Sequence, residues 1–204
     1  MEEIMHLRSL RQNIQELKQL NLESAQASYH LANLVKQFTA HNSFEHLLRS
    51  RSSNGLYRRH RLTELTDDFH IILATWEPHS CSPIHDHDET IGAVAVVAGQ
   101  TVETKYRCVA HAERGLCVGS SGNESFANCT VSPILPGDNL QIHQMANQTD
   151  ALAATLHVYL HALDRFHLYE HHADRQYALI PKQLWFDQDS VDRPIAEPAL
   201  IGVS

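Results

Sequence analysis

The chain is short of several things, and each shortage excludes a class of function. None of its 204 residues belongs to an apolar run near the roughly 20 residues that a helix needs to span a bilayer, so no membrane partner is expected. Basic residues are outnumbered, 16 Lys and Arg against 24 Asp and Glu for a formal charge of -8. That balance disfavours binding to a phosphate backbone, and no nucleic acid is expected as a partner. The four cysteines, Cys81, Cys108, Cys117 and Cys129, form no C-x-x-C pair, which argues against a zinc knuckle or a thioredoxin-like redox motif. The opening Met1-Glu2-Glu3-Ile4-Met5-His6 lacks a basic region followed by an apolar core, so a soluble, cytoplasmic protein is expected. No internal repeat is visible. Oligomeric state is left open, and a monomer is compatible with these features.

What the chain does have is 43% hydrophobic residues, enough for a globular fold in one domain over 1–204, and sixteen histidines. Apolar residues recur at helical spacing from Glu3 to about Ala40: Ile4, Leu7, Leu10, Ile14 and Leu17, then Tyr29, Leu31, Leu34, Val35 and Phe38. They predict two helices in an N-terminal segment over 1–52, with a third short helix from Ser43 to about Arg51. From residue 55 to 180 the pattern becomes short and extended, with strands expected at 56–63, 69–76, 91–98, 101–109, 126–131, 140–146, 152–160 and 165–170. Thr66-Asp67-Asp68 and Ala98-Gly99-Gln100 read as hairpin connections, and Gly119-Ser120-Ser121-Gly122-Asn123 as a longer loop. Many closely spaced strands predict a mainly β fold of barrel or jelly-roll type. The tail over 181–204, with Pro181, Pro194 and Pro198, is expected to wrap over the surface.

Within this pattern stands His85-Asp86-His87. Successive strand side chains point to opposite faces, so His85 and His87 would project together while Asp86 points away. Such a pair can chelate a metal, and His143 in Gln141-Ile142-His143-Gln144-Met145 offers a third imidazole. His167, His171 and His172, beside Tyr169 and Glu170, are read as the polar end of a strand in preference to a second metal site. Cys81 is read as a small buried hydrophobe and Trp76 as wall packing.

Counting from His87, Gly92 and Gly99 keep the frame of the first cupin signature, with glycine where that signature has its metal-ligating glutamate. Pro136-Gly137, His143 and Asn147 resemble the second. Three neutral imidazoles leave a divalent ion its full charge, which favours an anionic ligand such as a thiolate.

Tyr57-Arg58-Arg59-His60, Trp76, the His85-Asp86-His87 stretch, His143 and Thr155-Leu156-His157-Val158-Tyr159 together resemble the thiol dioxygenases of the cupin superfamily, above all the cysteine dioxygenase family, over residues 55 to 160. The resemblance implies a cupin barrel, an Fe(II) cofactor held by His85, His87 and His143, and a small carboxylate-bearing thiol and O2 as partners. It also implies Arg59 as the carboxylate anchor with Tyr57 beside it, and Thr155, His157 and Tyr159 as an outer-sphere relay. Strand parity agrees, since Tyr57 and Arg59 share one face and Thr155, His157 and Tyr159 another, leaving Arg58 and His60 outward. If His143 and His157 lay on neighbouring antiparallel strands, the loop near residues 147–150 would need an odd number of residues to turn both inward. Gly92 stands where animal members carry a crosslinking cysteine, so this chain resembles the bacterial type without a Cys-Tyr crosslink. Arg59 points to L-cysteine or a close relative oxidised to its sulfinic acid. Two other readings stay open: a dioxygenase acting on 3-mercaptopropionate, whose relatives usually carry Gln at the position of Arg59, and a cupin that binds metal and a small acid without turnover.

Overall fold

The computed structural model describes residues 7–42, 44, 56–64, 66–109, 116–127, 130–137, 141–173, 176–184 and 186. Two helices come first, α1 (Leu7–Gln19) and α2 (Ser24–His41). Ten strands follow: β1 (Tyr57–Arg61), β2 (His70–Trp76), β3 (Gly92–Ala98), β4 (Gln100–Val109), β5 (Leu116–Ala127), β6 (Val131–Ile134), β7 (Ile142–Ala146), β8 (Ala153–Tyr159), β9 (Arg165–Ala173) and β10 (Gln176–Gln183). The short helix expected over 43–51 lies outside the described residues. No described helix is long and apolar enough to cross a membrane.

The first sheet has the order β1-β2-β8-β3-β6, with all its pairings antiparallel. Its three middle strands, β2, β8 and β3, are buried at every position. A strand buried along its whole length needs cover on both faces, and two clusters supply it. On the outer face Ile71, Leu73, Ala93, Ala95, Leu156 and Val158 pack against Leu10, Ile14 and Leu17 of α1 and Leu31, Val35 and Phe38 of α2. These helix positions follow the three- and four-residue spacing of one helical face. Each fully buried Leu or Ile there contributes about 1.5–3 kcal/mol of transfer free energy. Tyr29, counted with that face in the sequence, is instead 68% exposed. On the inner face Ile72, Ala74, Trp76, Val94 and Tyr159 pack against Met145, Phe166 and Leu168 from the opposite wall.

That opposite wall is a three-stranded piece, β5-β4-β7, and a two-stranded piece, β9-β10. The stretch carrying His85 joins them. His85 and His143 exchange both backbone hydrogen bonds at 3.0 Å, the Ser82 amide donates to the Met145 carbonyl at 2.8 Å, and the Tyr169 amide donates to the Ile84 carbonyl at 2.9 Å. The chain therefore forms the two facing layers of a cupin fold, and among the described residues the layers do not close into a continuous barrel.

Several expectations need correction. Ala98-Gly99-Gln100 does not close a hairpin: β3 lies in one sheet and β4 in the other, so the chain changes layers there. Gly99 has φ +69, and a Cβ on it would meet the Leu152 carbonyl oxygen at 2.7 Å, so only glycine suits the crossing. Gly119–Asn123 is not a loop but part of β5, whose pairing with β4 absorbs the turn-prone residues through two register shifts. The strand expected at 126–131 straddles the end of β5 and the start of β6. The tail does not begin at Pro181, which lies inside β10; that strand has one neighbour, so a residue without an amide hydrogen is tolerated there. Past Gln183, Phe186 is buried, and residues 187–204 lie outside the described residues.

Candidate metal centre and its cavity

Between the layers lies a half-open cavity of about 470 Å³, counting the space that opens to solvent. Its polar lining includes Tyr57, Arg59, Ser82, His85, His157 and Tyr159, and much of its apolar lining is Ile72, Met145, Leu163, Phe166 and Leu184.

The first sheet contributes the polar lining by parity. In the ladder Arg59 pairs with Ala74 and Ala74 with Thr155, while His157 lies between Ile72 and Val94. Tyr57, Arg59, Thr155, His157 and Tyr159 all face inward, as the alternation predicts, and neither Arg58 nor His60 lines the cavity. Arg59 donates to the Tyr57 hydroxyl at 2.7 Å, and its guanidinium carbon lies 4.9 Å from the Tyr57 ring centroid. Tyr57 in turn stacks on Trp76 with centroids 4.6 Å apart and planes 24° from parallel.

Trp76 packs in the wall as expected, and its indole nitrogen also donates to Thr155 Oγ1 at 2.8 Å. Thr155 Oγ1 lies 2.8 Å from His157 Nε2, and His157 Nδ1 lies 3.3 Å from the Tyr159 hydroxyl. An indole N–H can only donate. A proton arrangement that satisfies each group therefore runs one way: Trp76 to Thr155, Thr155 to His157 Nε2, His157 Nδ1–H to the Tyr159 oxygen, and the Tyr159 O–H toward the cavity. Burial, helped by the charge of Arg59, pushes His157 down to about 3, so it stays neutral as this arrangement requires. Burial raises Tyr159 above the ordinary phenol value and keeps it a donor.

The other layer brings the three histidines together. One nitrogen from each of His85, His87 and His143 lies within 4.8 Å of the others. His85 and His87 do not sit on a regular strand as the spacing suggested. Only His85 makes a ladder bridge, and backbone carbonyls orient the pair: His85 Nδ1 on Pro83 at 2.9 Å and His87 Nδ1 on Gln141 at 2.7 Å. Asp86 does point away, accepting from the His167 amide at 2.8 Å and the Tyr169 hydroxyl at 3.0 Å. His143, on β7, pairs with β4 and faces β8 from the opposite layer, so the loop-parity condition linking it to His157 does not arise.

The residues present fit a divalent ion. His87 Nε2 and His143 Nε2 are buried with no hydrogen-bond partner, while the Nδ1 atom of each is engaged. Burial pushes His85 down to about 4 and His87 and His143 well below the usual imidazole range, leaving neutral rings with lone pairs to donate.

Gly92 sits directly across the ladder from Tyr159, and a Cβ there would meet the ring at 2.8 Å. The bare backbone gives the phenol its seat. Outside the site, His167 pairs with Asp86, His171 packs on Tyr177, and the His172 side chain is not among the described residues. Cys81 is half-buried, with its thiol pushed up by burial, and does not line the cavity. The sequence reading missed Glu103, a carboxylate only 1% exposed that touches His143. A signal was present: the inward positions of β4 are Thr101, Glu103 and Lys105, a polar face where apolar residues are the norm.

Two facing β-layers with three convergent imidazoles between them define a cupin whose three histidines could hold a metal ion. The model of the family described as cysteine dioxygenase type I matches residues 1–172, and the chain belongs to that family. Among solved structures it is similar to a sugar phosphate isomerase of the cupin superfamily from Silicibacter pomeroyi, at 22% identity over 63% of this chain and 78% of that one, with a TM-score of 0.45. It is also similar to an uncharacterized conserved protein with a double-stranded β-helix domain from Klebsiella pneumoniae, at 19% identity over 60% and 86% of the two chains, with a TM-score of 0.45.

Proposed function

We propose that this protein is an Fe(II)-dependent thiol dioxygenase that converts L-cysteine, or a close carboxylate-bearing thiol, to its sulfinic acid. The observation that carries this reading is the arrangement around one cavity: three neutral imidazoles meet at one wall, where His85 lines the cavity, and an arginine and a neutral tyrosine reach in from the other. His85, His87 and His143 would hold the metal. Bound Fe(II) would bring the thiolate and O2 to one centre and supply the electron steps that ground-state O2 requires.

The remaining work falls to this chain's own side chains. Arg59, steadied by the Tyr57 hydroxyl and the stacked Trp76, would take the substrate carboxylate as a charge-assisted pair and fix the distance from carboxylate to sulfur. Tyr159 would offer its O–H to oxygen or carboxylate in the cavity, with His157 and Thr155 holding that hydrogen in place. Leu163, Phe166 and Leu184 would keep water from the sulfur. The overall reaction is RS⁻ + O2 → RSO2⁻. Both oxygen atoms end on sulfur, sulfur loses four electrons, O2 gains them, and no further reductant is needed.

The test is O2 uptake and mass detection of the sulfinate, using Fe(II)-loaded protein with cysteine, 3-mercaptopropionate, cysteamine and homocysteine. One sulfinate per O2 with cysteine is expected. No uptake with any of the four ends the proposal. Arg59→Gln should raise KM for cysteine about 10- to 100-fold, since a hydrogen bond to a charged group is worth roughly 1.5–3 kcal/mol. It should also narrow the preference for cysteine over 3-mercaptopropionate.

A further inference from the structure

The three histidines are not held alike. His85 and His87 each rest their second nitrogen on a neutral backbone carbonyl, of Pro83 and of Gln141. His143 alone meets a carboxylate, with its Nδ1 2.5 Å from Glu103 Oε1. Glu103 lies on β4, beside the strand that carries His143, and is 1% exposed. Its other oxygen accepts from Ser132 on β6 at 2.5 Å, and Lys105 Nζ sits 2.9 Å from Oε1. Lys105 also donates to the Pro133 carbonyl at 3.1 Å. A carboxylate so deep in the molecule is costly unless its acceptor sites are filled, and here three donors from three strands fill them.

We propose that Glu103 is the positioning residue of the metal centre: it fixes the ring and tautomer of His143 and makes that histidine the strongest donor of the three. With Nδ1–H given to Glu103, the lone pair of His143 must lie on Nε2, the buried atom that has no other partner. A negative partner on the far side of the ring pushes electron density toward the metal nitrogen. Gly92 leaves the inner coordination sphere without a carboxylate, and Glu103 returns a negative charge one imidazole further out. An ion held there would keep its remaining positions for an anionic substrate. Ser132 gives the arrangement its rigidity, because it ties the carboxylate of one layer to a strand of the other.

This inference rests on reading His85, His87 and His143 as a metal site, and its test does not depend on turnover. Co(II) affinity is measured by chelator competition, with the visible spectrum of the loaded protein and the melting of the metal-free form, for wild type, Glu103→Gln, Ser132→Ala and the double variant Glu103→Gln/Lys105→Met. Glu103→Gln keeps the shape but loses the charge, and should lower affinity about 10- to 100-fold while shifting the Co(II) bands. The double variant removes the lysine left without its counter-charge, so it should regain melting temperature but not affinity. Ser132→Ala should cost several-fold in affinity with the charge kept, and it carries the test should Glu103→Gln fail to fold. Wild-type affinity and spectrum in every folded variant overturn the inference while leaving the metal site in place. A wild type that holds no metal overturns both. A wild type that holds metal but oxidises no thiol ends the functional proposal and leaves Glu103 in its role.

Discussion

The two walls of the cavity hold their side chains by different means. The wall of β1, β2 and β8 is a regular ladder, in which Tyr57, Arg59, His157 and Tyr159 reach the cavity, with Thr155 on the same face behind them, because alternation leaves them no other face. In the opposite wall the stretch that carries His85 and His87 is not a regular strand. There the ligands are aimed one at a time, by the carbonyls of Pro83 and Gln141 and by the carboxylate of Glu103. Parity is cheap to specify but coarse, since it chooses a face and not an angle. A coordination site needs angles, and single hydrogen bonds provide them.

The largest expected difference between the walls comes from Tyr159→Phe. Removing the hydroxyl should lower kcat with cysteine by about 100-fold or more, the range for a positioned proton donor, while Co(II) affinity stays near wild type. An equal loss of both would mean that the walls are not separable. Acidification comes next and strikes both walls at once. His85 and His157 titrate near 6.5 when unfolded but only near 4 and 3 in the fold, so below pH 6.5 the unfolded chain binds more protons. Stability of the metal-free protein should therefore fall steadily from about pH 6.5 to about pH 3, read as melting temperature in a pH series. A flat series would mean that these rings accept protons in place. The smallest effect belongs to Trp76→Phe, which keeps the stack on Tyr57 and deletes only the N–H to Thr155. One neutral hydrogen bond is worth about 1 kcal/mol, so kcat should fall several-fold with KM little changed. A change in KM alone would make Trp76 a support for Arg59 and not for the relay.

The same contrast explains what could be read from the sequence. Residues governed by period were legible: the inward set on β1 and β8, and the apolar stripes Leu10, Ile14, Leu17 and Leu31, Val35, Phe38 that cover the first sheet. His85, His87 and His143 were recognisable by residue type and frame, although the strand geometry used to justify the first pair was wrong. The polar inward face of β4 marked Glu103 as unusual, but its partner His143 lies 40 positions away on another strand, and local pattern does not name a distant partner. Gly119–Asn123 and Pro181 misled for the same reason, since residues that favour turns were overruled by the neighbours that β4 and β9 provide. The link from Trp76 to Thr155 spans 79 positions and had no signal at all.

The paired backbone hydrogen bonds between His85 and His143 have a consequence for how the protein matures. His143 joins His85 and His87 only when the second layer zips together, so a nascent chain offers an ion at most that pair and not the full set of three. Such non-local contacts form late. Once they have formed, the imidazoles are already in place, and loading is capture by a finished receptor, unlike a zinc finger, where the ion drives folding.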